Sequence, residues 1–202
     1  NGAPGIVAGA LDLARPQPCE HVLHIGAGLG YYTAVVAHCV GRSGYVRAIE
    51  VDRELANVAR SRMSAQSWAE VLHGDAMASF ERTFDVIFVS AGATHPLDTW
   101  LDVLKPAGRL VVPLTASIPA MGPIGKGFVF LFEKHANGAI SARAATMTAI
   151  YSAVAVRDET IDRRLGAALM RMPFPRVTRL RRDAHAADDN CWLHCDTFCL
   201  GS

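Results

Sequence analysis

The sequence is short of net charge and of long apolar runs. Its 20 Lys and Arg against 19 Asp and Glu leave a formal charge of +1. That balance gives no whole-chain attraction to nucleic acid or to an anionic membrane surface. No apolar stretch approaches the ~20 residues that a membrane-spanning helix needs. No secretory leader is visible in a sequence that opens at Asn1. Repeats, low-complexity tracts and a linker between domains are also lacking. Five cysteines, Cys19, Cys39, Cys191, Cys195 and Cys199, are an odd number without a regular framework. Reduced thiols and a cytoplasmic location are therefore expected.

What remains is a globular composition, 50% hydrophobic and 19% charged over 202 residues. The length suits one α/β domain over residues 1–202. Apolar runs and glycine or proline breaks alternate along it. Helices are expected at 4–14, 31–40, 52–63, 96–104 and 158–171. Strands are expected at 21–25, 45–50, 69–73, 84–90 and 109–112, with Lys105 to Gly108 as a turn into the last of these. Such alternation predicts parallel strands with helices on both faces. Asp52 is placed to cap a helix. Residues 113–127, rich in proline and glycine, read as an irregular loop that could lie over a site. Strands at 128–133 and 139–147 form a hairpin about Asn137-Gly138. The tail at 176–182 and 191–200 is expected to add edge strands.

The main chemical signal is VLHIGAGLG, with Gly26, Gly28 and Gly30 directly after the first strand. Glycines there allow a sharp turn and a close approach of ligand to backbone. The spacing is G-x-G-x-G, and Tyr31 stands where a dinucleotide fingerprint carries its third glycine. A ligand without pyrophosphate is favoured. Glu50 ends the second strand, where a carboxylate can accept from a ribose diol. Asp75, in His73-Gly74-Asp75-Ala76, can accept from an adenine amino group or simply hold a turn. All three features sit at the carboxyl ends of consecutive strands, where open α/β sheets bind ligands.

Together these segments resemble the class I S-adenosylmethionine-dependent methyltransferases, and within them the protein-L-isoaspartate O-methyltransferase family. Ala3-Pro4, VLHIGAGLGYYTA, AIEVDREL, HGDA, FDVIFVSAGATHP and LKPAGRLVVP carry the resemblance, which covers roughly residues 1–150. It implies a Rossmann-like, seven-stranded, mostly parallel α/β sheet with an antiparallel hairpin near its C-terminal part. Residues 155–202 would be a divergent extension of the same domain. It implies S-adenosyl-L-methionine as cofactor, held by Gly26, Ala27, Gly28, Gly30, Glu50, Val51, Asp75 and Ala76. It implies methyl transfer to a carboxylate or other oxygen of a protein, peptide or small molecule. Gly2, Ala3, Thr94 and His95 are the candidates for acceptor contacts, and His95 is the candidate catalytic residue. The chain departs from the family pattern at Gly2, where a serine is usual, and at His24, where an acid is usual. The family pattern also continues ahead of Ala3-Pro4, where this sequence begins. Gly2 and His24 favour an alternative, a cofactor-binding module without transferase activity. A nicotinamide-dependent oxidoreductase is a third reading, opposed by the missing glycine.

Two further clusters lie in the tail. Cys191, His194, Cys195 and Cys199 have ligand chemistry for zinc but lack paired Cys-x-x-Cys spacing, so they read as a small buried or edge face and no metal is assigned. Arg176, Arg179, Arg181 and Arg182 are followed closely by Asp183, Asp188 and Asp189. That pattern reads as a salt-bridged strand rather than a nucleic-acid surface.

Overall fold

Strand burial alternates along the first half of the chain, and each alternation feeds a different core. Val22 of β1 (His21–Ile25) joins one buried cluster, while Leu23 and Ile25 join the other. The same division is made by Val86 and Phe88 against Ile87 and Val89 in β4 (Phe84–Val89). Strands buried on both faces need helices on both faces, as the period-two pattern requires. On one side lie α1 (Pro4–Ala14), α2 (Tyr31–Val40) and α3 (Arg53–Arg62). Their Val7, Val36, Val40 and Ala59 pack on the sheet. On the other lie α4 (Asp98–Asp102) and α5 (Glu159–Leu169), which contribute Trp100, Leu101, Leu165 and Ala168. The computed structural model describes residues 4–77, 79–154, 156–171 and 176–202.

Among the described residues ten strands form one sheet, in the order β3-β2-β1-β4-β5-β6-β7-β8-β10-β9. The first five in that order include β2 (Tyr45–Glu50), β3 (Ala69–His73) and β5 (Leu104–Ser117), and their pairings are parallel. From β5 onward every pairing is antiparallel, through β6 (Ile124–Lys134), β7 (Ile140–Tyr151), β8 (Arg179–Arg181), β9 (Cys191–His194) and β10 (Cys199–Gly201). The sheet is thus wider and more mixed than the expected seven, mostly parallel strands. The excess comes from the tail, whose three strands continue the sheet beyond β7.

The segment 113–127 is not the irregular loop that its prolines and glycines suggest. Residues 113–117 continue β5, and β6 begins at Ile124 after a single 3-10 turn at Pro119–Met121. Pro113 is tolerated because the ladder to β4 ends at Val111, and Pro113 offers only its carbonyl, to Ala93 N–H at 2.9 Å. Gly127 is required by close packing, since a Cβ there would lie 2.0 Å from the Leu114 carbonyl oxygen. Likewise the turn expected at Lys105 to Gly108 is an irregularity inside β5, where Ala107 takes a positive φ of 63°. Helix α4 is shorter than the expected 96–104.

Three side-chain sets tie the layers together. Asp52 caps α3 as its position predicts, accepting from Glu54 N–H and Leu55 N–H at 2.9 Å each. Arg109 of β5 pairs bidentately with Glu20 at 2.9 and 2.8 Å and also donates to the carbonyls of Ala14 and Arg15, which fixes the end of α1. Arg157 donates to Gly92 O at 3.1 Å and Thr115 O at 2.8 Å while pairing with Asp162, which joins α5 to the end of β5. In the tail, Arg181 pairs with Asp183, and Arg182 with Asp98 and Asp102. Of the basic run, Arg181 and Arg182 are thus ion-paired, and β8 is an internal strand with β9 at the edge, where an edge strand was expected.

Candidate functional site

The glycine turn after β1 is held against the end of β2. Gly26 N–H and Ala27 N–H both donate to the Ile49 carbonyl, at 2.9 and 3.1 Å. Gly26, Gly28 and Gly30 all have positive φ, 83°, 54° and 85°, which is the physical reason for glycine at each. Their surroundings differ. A Cβ on Gly28 would meet nothing within 4 Å, whereas one on Gly30 would lie 3.1 Å from Ala59 Cβ. Gly28 therefore leaves open space beside the backbone, and Gly30 lets α2 approach α3.

The open space belongs to a cavity of ≈ 460 Å³ at the carboxyl ends of β1, β2 and β4. Gly26 and Gly28 form one wall, Glu50 and Val51 another, and Gly74 and Ala76 a third. Glu50 is only 7% exposed, yet its carboxylate is well satisfied. Oε2 accepts from Gly28 N–H at 2.6 Å and Oε1 from Asp52 N–H at 3.1 Å. Each oxygen keeps lone-pair capacity after one bond, so the group can still accept two hydroxyl donors side by side. The backbone bonds fix its orientation before any ligand arrives.

Other expected site residues stand off this wall. Ala27 is buried, and its N–H is committed to Ile49. Gly30 is absorbed in helix packing, as described above. Asp75 is exposed, and its Oδ1 accepts from Met77 N–H at 2.8 Å, which is the turn-holding alternative for this residue. Gly2 and Ala3 lie outside the described residues. Thr94 is fully buried and accepts from Asp158 N–H at 3.2 Å. His95, at 2.9 Å from the Thr94 hydroxyl, stacks on Phe198 with centroids 5.8 Å apart. It faces the tail rather than the cavity, because the bridge between Ala93 and Leu114 draws this loop onto β5. Burial lowers the His95 pKa against the opposing pull of Asp158 and Asp98. Neither Thr94 nor His95 is on the cavity wall.

The cavity also has a side that sequence patterns did not indicate. Ser90 and Ala91 follow β4, and Tyr151 to Val154 lie at and beyond the end of β7. The second segment reaches the cavity through a parallel bridge between Gly92 and Ser152, a contact over long sequence separation without a local signal. Tyr151 and Val154 are exposed, so they form an open apolar rim. His24 does not line the cavity but reaches its wall through Ser90: it is fully buried, with its ring nitrogens 2.9 Å from Thr33 Oγ1 and 2.9 Å from Ser90 Oγ. Burial lowers its pKa to about 4, so the imidazole is neutral at physiological pH.

The chain as a whole has counterparts among known proteins. The family model for protein-L-isoaspartate(D-aspartate) O-methyltransferase matches residues 1–158. The chain belongs to that family. Relatives include the protein-L-isoaspartate O-methyltransferase of Methanopyrus kandleri, 38% identical over 55% of this chain and 52% of its own length. Another is protein-L-isoaspartate O-methyltransferase 2 of Polaromonas, 35% identical over 69% of this chain and 64% of its own length. The chain spans about half to two thirds of the length of these family members. A family structure from Plasmodium falciparum, in complex with S-adenosyl-L-homocysteine, shares the fold. Its TM-score is 0.61 at 20% identity, over 76% of this chain and 75% of that one. A solved protein-L-isoaspartate O-methyltransferase gives 0.68 at 24% identity, over 87% and 55%.

Proposed function

We propose that this chain binds S-adenosyl-L-methionine in the cavity beside Gly26 to Gly28 and transfers its methyl group to an oxygen acceptor, with a carboxylate of a protein or peptide favoured. The observation that carries the reading is the Glu50 carboxylate, pre-oriented by Gly28 N–H and Asp52 N–H on the cavity wall. In this reading Glu50 accepts from the ribose hydroxyls, Gly26 and Gly28 admit the methionine part, and Val51, Gly74 and Ala76 border the adenine. Asp75 serves them indirectly, holding the turn through Met77 N–H. The cofactor, when bound, supplies an activated methyl group on a sulfonium centre.

The protein's contribution is then orientation and exclusion of water. A carboxylate acceptor is ionised at neutral pH and needs no general base. In this reading His95, stacked on Phe198, has no direct part. Ser90, Tyr151 and the residues to Val154 border the acceptor's approach. Neutral His24 replaces the charge that an acid would bring to the cofactor's ammonium end, so Ser90 and the backbone carry those contacts. The described residues contain no helix long and apolar enough to cross a membrane. None of the five cysteines is in a disulfide, and we assign the protein to the reducing cytoplasm.

Calorimetric titration with S-adenosylmethionine and S-adenosylhomocysteine, with NADH as control, tests the cofactor. Release of S-adenosylhomocysteine with an isoaspartyl peptide then tests the acceptor. Binding without turnover over a broad panel of carboxylate and hydroxyl acceptors would leave a binding module. Binding of NADH alone would reject the class.

A further inference from the structure

The tail beyond the family-matched region brings two imidazoles and two thiols to one point. The donor atoms of His185, Cys191, His194 and Cys199 all lie within 4.8 Å of one another. Three of these residues are partly buried and Cys199 is buried. Cys195, which the sequence pattern grouped with them, is excluded. It sits in the turn between β9 and β10, buried, with its N–H on the Phe198 carbonyl. His185, from the preceding loop, takes the fourth place.

The local fold explains the convergence. His194 and Cys199 are directly opposite in the β9–β10 ladder. Cys191 lies at odd spacing from His194 and would face the other side of a regular strand. The ladder shifts between Leu200 and Gly201, which pair with Leu193 and Cys191, so β9 carries one extra residue. Such a bulge re-aims a side chain, and here it brings Cys191 round to His194. Gly201 permits the crossing, since a Cβ there would lie 2.4 Å from the Asn190 carbonyl oxygen.

The cluster is also prepared electronically. His185 Nδ1 lies 2.9 Å from the Asp183 carbonyl, which can only accept, so Nδ1 carries the proton. Nε2 is left with its lone pair, 3.7 Å from Cys191 Sγ. A tetrahedral zinc with ordinary Zn–S and Zn–N lengths holds S and N about 3.6 Å apart. Asp188 N–H points to Cys191 Sγ at 3.5 Å, and Asp188 Oδ1 lies 3.4 Å from the same sulfur. Nδ1 of His194 is buried and has no hydrogen-bond partner among the described residues. A purely hydrogen-bonded cluster therefore leaves a polar cost uncompensated.

We infer that His185, Cys191, His194 and Cys199 form a closed, structural Zn²⁺ site that fastens the C-terminal hairpin to the preceding loop. Two thiolates neutralise the ion, and two imidazoles complete four-coordination. Thiolate donors disfavour magnesium and calcium. The tail's strands are short, three to four residues each, and a metal adds a cross-link between the β9–β10 hairpin and the loop before it. The hairpin in turn sets Phe198 on His95 and Trp192 on Phe130.

The test is metal analysis of the full-length chain, purified without a histidine tag and with its thiols kept reduced. About one zinc per chain is expected. Cys199→Ser and His185→Ala should each lose it, while Cys195→Ser keeps it. To guard against variants that fail to fold, the wild type is stripped with chelator and titrated with Co²⁺. A thiolate-to-cobalt charge-transfer band with intense tetrahedral visible bands is expected. Wild type that retains no zinc and shows no such bands with free thiols present overturns the site. Undiminished zinc in both ligand variants overturns it equally.

Discussion

At the scale of single residues, Glu50 and His24 carry opposite burdens. Glu50 is a buried carboxylate held charged-side toward the cavity by two backbone donors. Its loss should weaken S-adenosylhomocysteine binding by on the order of 1–3 kcal/mol, the value of hydrogen bonds to a charged group. Calorimetry on folded Glu50→Ala should show a roughly 5- to 150-fold rise in Kd. Unchanged affinity would remove the ribose from this wall. His24 is a buried base whose pKa is lowered by desolvation to about 4 from 6.5. The unfolded chain therefore takes up a proton at higher pH than the native one. The stability due to neutral His24 is complete above the unfolded value and is lost as pH falls from about 6.5 toward 4. The loss is about 3 kcal/mol in all. His95, also shifted downward, acts in the same direction. Denaturant titrations across this window should show the decline in wild type and a shallower one in His24→Gln. Parallel pH profiles for the two proteins would mean that His24 is not the titrating group.

At the scale of elements, the glycine turn separates folding from binding. Gly30 and Gly28 both have positive φ, but only Gly30 is crowded, with Ala59 Cα 3.2 Å from the place a Cβ would take. Gly30→Ala should cost about 1–3 kcal/mol of stability through strain and overpacking. The folded fraction should keep its cofactor affinity. Gly28→Ala meets open space and should cost less stability but more affinity, since the methyl enters the cavity. Thermal unfolding and calorimetry on both variants distinguish these effects, and equal losses in both assays would contradict the division. This turn was legible because glycine is demanded locally by φ and directly follows a buried strand. Asp52 was legible for the same reason, as a cap acts within a few residues. Much of β5 and β6 was not. Pro113 is compatible with a strand only because β4 has already ended beside it, a fact that depends on pairing. Tyr151 to Val154 reach the cavity by such a pairing as well. Sequence patterns report a residue's local needs, and these segments answer to distant neighbours. Thr94 and His95 show the same dependence: their position after β4 is local, but the hairpin that packs on His95 lies in the tail.

At the scale of the molecule, the family match ends at residue 158 while the sheet does not. We propose that the tail folds with the rest as one unit. Leu180, Leu193, Phe198 and Leu200 belong to the same buried cluster as Leu23 and Ile87, on the face that α4 and α5 cover. A core shared in this way should unfold together. Leu200 and Leu23 are both fully buried, so truncation of either to alanine should cost about 2–5 kcal/mol. If the unit is single, Leu200→Ala lowers one common transition, seen alike by far-UV circular dichroism and by amide exchange in β1. If the tail were a satellite, Leu200→Ala would instead release an early transition confined to β8 to β10 and leave exchange in β1 unchanged. Leu23→Ala would then shift only the later transition. Coincident shifts are expected, because β8 pairs with β7 on one side and β10 on the other, so the tail cannot leave without exposing the edge of β7.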